Sequence, residues 1–285
     1  MRSGFVALVG RPNAGKSTLL NRIVGQKISI VSDKPQTTRT RVTGILHRPD
    51  TQIVFVDTPG IHKPVSPLGE HLNRTARASF DVDLVCLVVD ATAPVGRGDQ
   101  FVADRLPPGR VIVALTKTDI ADREQVLRQL AAASELVDAL EVVPVSGRTG
   151  DGVALLVDLI TEHLPVGPPW FPEGMVTDAP EAFWVAELVR EELFRRVREE
   201  LPYSIATRVT EWEWPYIRCE ILVERDSQKG MVIGKGGRMI RAVGEAVRRQ
   251  LPDGAYLDLH VKVSRDWQRR PADIGRLVEP DVDLA

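Results

Sequence analysis

The chain has only two cysteines in 285 residues, Cys86 and Cys219. Both sit in apolar or strand-like runs and share no metal-ligand spacing. This excludes a disulfide framework and a cysteine-held metal, and predicts two reduced core thiols in a cytoplasmic protein. No apolar run reaches the ~18 residues a helical membrane span needs, and the N-terminus lacks a signal-peptide pattern. A soluble, cytoplasmic chain is therefore expected. No internal repeat is visible. Charge of one sign is not in excess either: 37 Lys and Arg face 39 Asp and Glu, a net charge of −2. That balance by itself names no partner.

The distribution of charge says more than the total. Residues 225–270 carry 11 Lys/Arg against 5 Asp/Glu, a local excess of +6, so the remainder is acidic. This asymmetry suits a C-terminal part that meets an anion such as nucleic acid, although a solvated charged face would look the same. An apolar fraction of 43% and a charged fraction of 27% are those of an ordinary globular protein. The length allows one large domain or two medium ones, each with its own core.

The strongest local signal is GRPNAGKS, Gly10 to Ser17, of the form G-x-x-x-x-G-K-[ST]. An apolar strand, Phe5 to Val9, precedes it, and a helix-spaced run from Thr18 to Val24 follows and stops at Gly25. A strand, a glycine-bearing turn and a helix N-terminus make a phosphate cradle. Loop N–H groups and the positive end of the helix dipole point at the anion, and glycine lets the backbone approach it. Gly10, Arg11, Pro12, Asn13, Ala14, Gly15, Lys16, Ser17 and Thr18 form the candidate cradle. Lys16 would reach the β- and γ-phosphates, and the Ser17 hydroxyl would ligate Mg²⁺.

Further along, Lys27–Arg41 shows no sustained period and reads as a mobile loop. Strands are expected at 42–46, 52–56, 84–89, 111–115 and 142–145, and helices at 68–80, 122–136 and 153–163. Strands alternating with helices, with polar motifs at the strand ends, predict a doubly wound, mostly parallel α/β sheet with its ligand at that edge. Five prolines between Leu164 and Pro180 mark a semi-rigid linker. Asp178 would cap the next helix, with Pro180 in its first turn, and that helix would end near Leu201-Pro202. Strands at 204–212 and 216–224, helices at 228–233 and after Gly237, and a strand at 256–263 give the order α-β-β-α-α-β. The expected domains are 1–164, a linker at 165–179, a second domain at 180–267 and a tail at 268–285.

Three motifs follow the phosphate loop. Asp57-Thr58-Pro59-Gly60 ends a strand, where the carboxylate would hold Mg²⁺ through water and the Gly60 N–H would meet the γ-phosphate. Thr116-Lys117-Thr118-Asp119 is the base reader: Asp119 can accept from both N1–H and the exocyclic amine of guanine, which adenine cannot reproduce. Ser146-Gly147 would close over the base with a backbone N–H. In the second domain, Gly234-Lys235-Gly236-Gly237 between two helices fits the GXXG clamp of a KH domain, with Lys235 and Arg238 supplying charge. Trp212 and Trp214, at period 2, read as packing residues on one strand face.

These motifs resemble the translation-factor-like GTPase class. With Gln36-Thr37-Thr38-Arg39, Glu200 to Ser204, Gln228 to Gly234, and Val261-Lys262-Val263 near Trp267, the chain more closely resembles the bacterial Era GTPases, over nearly its whole length. The resemblance implies a GTPase domain joined to a type II KH domain that acts in maturation of the small (30S) ribosomal subunit. The implied partner is the 3′ end of its ribosomal RNA, and the cofactors are GTP or GDP with Mg²⁺. Some members are found at the inner face of the membrane. A monomer is expected. Carried over by resemblance, Thr38, with Thr37 as its rival, ligates Mg²⁺ and the γ-phosphate, and Lys229 joins Gly234–Arg238 on the RNA face. The residue after Gly60 is Ile61, which cannot orient water. The resemblance then offers Asn13 as a K⁺ ligand, with loop stabilisation as the alternative role. Thr116 departs from the family's asparagine, which braces the phosphate loop, so weaker nucleotide binding is expected. Gly147 stands where alanine is usual. Two alternatives stay open: an RNA chaperone that holds guanine nucleotide only as a structural ligand, and a membrane-surface signalling GTPase.

Overall fold

The computed structural model describes residues 1–34, 36–64, 66–197 and 199–278. The chain divides into two compact units, with a boundary between Asp178 and Ala179. The first holds a six-stranded sheet in the order β2-β3-β1-β4-β5-β6. Its strands are β1 (Arg2–Gly10), β2 (Val42–Arg48), β3 (Thr51–Asp57), β4 (Leu84–Asp90), β5 (Val111–Thr116) and β6 (Glu141–Pro144). All pair in parallel except β2, which runs antiparallel to β3 as a hairpin.

The continuous apolar runs of β1, β4 and β5 follow from burial on both faces. Strand side chains alternate, so one set builds each core. Val6, Leu8, Cys86, Val88, Ile112 and Ala114 pack with α1 (Lys16–Val24) and α5 (Val153–His163). Ala7, Val9, Val85, Leu87, Val113 and Leu115 pack with α2 (Pro67–Ala78), α3 (Arg97–Ala103) and α4 (Arg123–Leu136). Each fully buried aliphatic side chain contributes about 1.5–3 kcal/mol. Both thiols are buried, which pushes each up to about 12 and leaves them unreactive.

The proline-rich segment is not a free tether. Its 165–178 stretch belongs to the first unit and is fastened there. Buried Gln52 accepts from the N–H groups of Trp170 (2.6 Å) and Phe171 (3.0 Å), and donates to Phe171 O at 2.8 Å. Ile45 N donates to Val176 O at 2.9 Å, and Trp170 packs edge-on against Phe5. Prolines kept the segment out of regular structure, and side-chain partners on β1–β3 then satisfied its backbone.

In the second unit the order is α6 (Glu181–Arg196), α7 (Leu201–Ser204), β7 (Ala206–Glu213), β8 (Tyr216–Val223), α8 (Asp226–Ile233), α9 (Arg238–Arg248), β9 (Tyr256–Val263) and α10 (Pro271–Val278). β8 lies between antiparallel β7 and parallel β9. Ile217, Cys219, Ile221 and Val223 point to one core with Val185, Leu188, Val189 and Leu193 of α6 and Val243 and Val247 of α9.

Several local expectations need correcting. Pro180, not Asp178, is the residue before α6, and that helix stops at Arg196, five residues early, with α7 a separate turn. Trp212 packs on the core, but β7 ends at Glu213, so Trp214 lies in the turn and is 52% exposed. Within the tail at 268–285, α10 buries Ile274 and Val278; just before it, Trp267 is buried and donates its Nε1–H to Ser204 O at 2.9 Å. Residues 279–285 of that tail, and Pro35 in the loop after α1, lie outside the described residues. No described helix is long and apolar enough to cross a membrane.

Candidate functional site

Gly10, Asp57 and Thr116 end β1, β3 and β5, so the parallel sheet brings the phosphate loop and two of the three following motifs to one edge. The loop's turn requires positive φ at Asn13 (63°) and Gly15 (96°). Lys16 is buried, and its Nζ donates to Gly10 O (3.2 Å) and Arg11 O (2.9 Å). Burial lowers its pKa from 10.5 to about 8, with the Asp57 carboxylate opposing part of that shift.

Asp57 is the centre of the cluster. Its Oδ2 accepts from the hydroxyls of Ser17 (2.7 Å), Ser29 (3.0 Å) and Thr38 (3.4 Å), and Ser17 and Thr38 are themselves 3.0 Å apart. Its Oδ1 is buried with no hydrogen-bond partner. Burial raises the Asp57 pKa, opposed by Lys16 and the three hydroxyls. A carboxylate oxygen left bare beside two hydroxyls is a hard-oxygen set that suits Mg²⁺. The Thr37 hydroxyl turns instead to Lys34 O at 2.7 Å.

A cavity of about 360 Å³ opens here, lined by loop residues Asn13, Lys16 and Ser17 together with Thr38, Gly60 and Lys117. Gly60 passes so close to the loop that an added Cβ would lie 2.6 Å from Pro12 N. Thr58 donates to Leu8 O at 2.8 Å and the Ile61 N–H to Gly10 O at 3.1 Å, which ties the Asp57–Gly60 turn to β1. Ile61 is buried. The Asn13 amide donates to Asp33 O at 2.7 Å, joining the phosphate loop to the 27–41 loop. The described residues of that loop form no regular element, yet Thr37, Thr38, Arg39 and Thr40 are buried.

At the base end, the Thr116 hydroxyl lies 2.6 Å from Ala14 O and 3.0 Å from Val89 O. The brace expected of asparagine is therefore present, made by a shorter side chain. Asp119 Oδ1 accepts from Ser146 Oγ at 2.8 Å, and Gly147 O accepts from Arg22 Nε at 3.1 Å. Lys117, at φ 61°, pairs with Asp90 Oδ2 at 2.6 Å. Burial opposes ionisation of Asp90, but the bonds from Lys117 and Thr92 outweigh it and lower its pKa. Sequence reasoning missed Ser29 and Asp90. Asp90 had a signal, since a lone acid ends an apolar run at a strand terminus. Ser29 had none.

In the second unit, Gly234–Gly237 joins α8 to α9 through a 3-10 turn. Lys235, Gly236 and Arg238 are exposed, and Lys229 is half-buried. Gly236 and Gly237 sit at φ 61° and 74° with nothing within 4 Å of an added Cβ. Gly234 differs: φ 73° with ψ 167° is open almost only to glycine, and a Cβ would lie 2.7 Å from Met239 Cβ. It shapes the turn, while the next two glycines leave the surface open.

A phosphate loop, a buried aspartate among hydroxyls and a guanine-type base motif on one sheet edge define a P-loop GTPase, and the following unit is a KH domain. Family models agree: one described as 50S ribosome-binding GTPase matches residues 5–117, and a KH domain model matches 200–268. The GTPase Era of Mycobacterium tuberculosis (strain H37Rv) is 46% identical over 96% of this chain and 98% of its own length. That of Mycobacterium avium (strain 104) is 45% identical over 97% and 98%. A single-substitution variant of Aquifex aeolicus Era bound to GDP.AlF4- superposes with a TM-score of 0.91 at 38% identity, covering 98% of this chain and 99% of that one. An Era in complex with MgGDPNP and nucleotides 1506–1542 of 16S ribosomal RNA gives 0.93 at 38%, covering 98% of each. The chain belongs to the Era family of GTPases.

Proposed function

We propose that this protein is a GTP-hydrolysing switch that binds the 3′ end of small-subunit ribosomal RNA through its KH domain and assists 30S maturation, as a cytoplasmic monomer. The observation that carries the reading is the Asp57 cluster. One buried carboxylate gathers Ser17 from the phosphate loop and Thr38 from the 27–41 loop, beside Lys16. That arrangement lets both loops respond to one terminal phosphate. The GDP.AlF4- and 16S RNA complexes of the two Era structures support hydrolysis and RNA binding.

In this reading Lys16 binds the β- and γ-phosphates, loop N–H groups orient them, and Gly60 N–H meets the γ-phosphate. Ser17 and Thr38 hold Mg²⁺ and Asp57 holds it through water. Thr38 is favoured over Thr37 because the Thr37 hydroxyl is spent on Lys34 O. The metal supplies charge neutralisation on the phosphates. Asp119 selects guanine. Ile61 offers no donor to the transition state, and Asn13, whose amide nitrogen donates to Asp33 O, supplies its Oδ1 to K⁺ in that role.

Two measurements test this. In filter binding, a 3′-end fragment of small-subunit RNA is titrated with GTP- and GDP-loaded protein; tighter binding with GTP is expected, and equal binding would sink the switch. Hydrolysis should be faster in K⁺ than in Na⁺ at equal ionic strength, and Asn13→Ala should erase the difference. Equal rates in the two salts would remove the potassium role.

A further inference from the structure

Arg11 is in the phosphate loop but does not line the nucleotide cavity. Its guanidinium Nη1 instead pairs with Asp99 Oδ2 at 2.9 Å, a carboxylate whose side chain is only 6% exposed. The same Oδ2 accepts from Gly96 N at 3.1 Å and caps α3. Gly98 lies under the arginine stem, where an added Cβ would fall 2.8 Å from Arg11 Cδ. The other end of Arg11 points at the chemistry. Its carbonyl accepts from Lys16 Nζ at 2.9 Å and from Ala14 N at 3.3 Å.

An ammonium has three N–H donors. Gly10 O and Arg11 O take two of them, so those carbonyls set the direction of the third. We infer that Asp99, from outside every nucleotide motif, is a positioning residue for Lys16: it anchors the Arg11 side chain so that the Arg11 carbonyl aims the ammonium at the terminal phosphate. The inference rests on the GTPase reading above. A charge-assisted pair on a nearly buried carboxylate suits this task, because its geometry is narrow and its partner is pre-oriented by the cap of α3. A loosened Arg11 peptide leaves the cradle intact but lets the Lys16 ammonium wander, which hurts the γ-phosphate contact more than the rest.

Two variants separate positioning from mere support. Asp99→Asn keeps a carbonyl oxygen to cap α3 but removes the charge that holds Arg11. Gly98→Ala leaves Asp99 untouched, favours helix, and crowds the arginine stem. Both should lower the single-turnover hydrolysis rate constant about 10-fold, short of the ~100-fold that a full ångström of misplacement can cost. Both should also lower the ratio of GTP to GDP affinity, by a factor that does not track any change in the thermal midpoint. Wild-type rate and wild-type affinity ratio in both variants would overturn the inference. So would equal losses of GTP and GDP affinity tracking a lowered midpoint, which is the mark of a structural role. A wild-type protein that neither binds nor hydrolyses GTP would instead remove the GTPase reading itself.

Discussion

The Thr116 hydroxyl reaches Ala14 O at 2.6 Å across 102 residues of sequence, and so fastens the end of β5 to the phosphate loop. A hydroxyl has one hydrogen, whereas an asparagine amide has two, so Thr116 shares that hydrogen between Ala14 O and Val89 O. Thr116→Val keeps the shape and removes the donor, and should destabilise the protein by ~1–3 kcal/mol in urea unfolding. GDP affinity should fall with it. Affinity that survives while stability drops would assign the hydroxyl to folding alone.

In the proposed reading, nucleotide choice rests on Asp119. Its Oδ1 is oriented by Ser146 Oγ, which in turn accepts from Arg148 N (3.2 Å) and Thr149 N (3.0 Å). Asp119→Asn should weaken GTP binding by about 100-fold or more and shift preference toward xanthine nucleotides, because an amide can donate to xanthine O2. Competition binding with GTP, XTP and ATP checks this. ATP binding the wild type as well as GTP would take the base-reading role away from Asp119.

The pH dependence follows from Lys16. Burial brings it to about 8 in the nucleotide-free protein. Phosphates favour the charged ammonium, so binding raises that value and takes up a proton above pH 8. Nucleotide affinity should hold from pH 6.5 to 7.5 and then fall, approaching about tenfold per unit above pH 8. The unliganded fold should behave oppositely. A lowered lysine value is a penalty on folding at neutral pH that is relieved as pH rises from about 8 toward 10.5. Calorimetry in two buffers of different ionisation enthalpy reads the proton uptake. A flat affinity from pH 7 to 9.5 would show that Lys16 is already deprotonated or never titrates in that range.

Gly236→Asp should abolish RNA binding and spare GTP affinity. Position 236 has nothing within 4 Å of a new Cβ, and aspartate tolerates its left-handed conformation better than most residues. The new carboxylate then stands where a phosphate backbone must approach. In the wild type, a coupling of ~1–3 kcal/mol should make RNA affinity 5- to 150-fold higher with GTP than with GDP, and GTP affinity should rise by the same factor with RNA. RNA bound as tightly by the variant as by the wild type would move the interface elsewhere on the KH domain.

Motifs whose meaning lies in contiguous residues were legible in the sequence. GRPNAGKS needs only its own turn, the strand before it and the helix after it, and the apolar runs of β1, β4 and β5 carry their burial in their composition. The α-β-β-α-α-β order and the glycine-rich turn at 234–237 were readable for the same reason, since local periodicity and turn chemistry decide them. Choices between distant partners belonged to the tertiary structure. Thr37 and Thr38 are adjacent and chemically alike, and only the approach of the loop to Asp57 sends one hydroxyl to the carboxylate cluster and the other to Lys34 O. Trp214 lies outside the core because β7 stops at Glu213, the residue before it. The proline-rich segment was fastened by Gln52, and the phosphate loop by Asp99, from 118 and 88 residues away. Nothing in the sequence around Gln52 or Asp99 marks them, because a buried hydrogen bond is set by where the fold places its two ends.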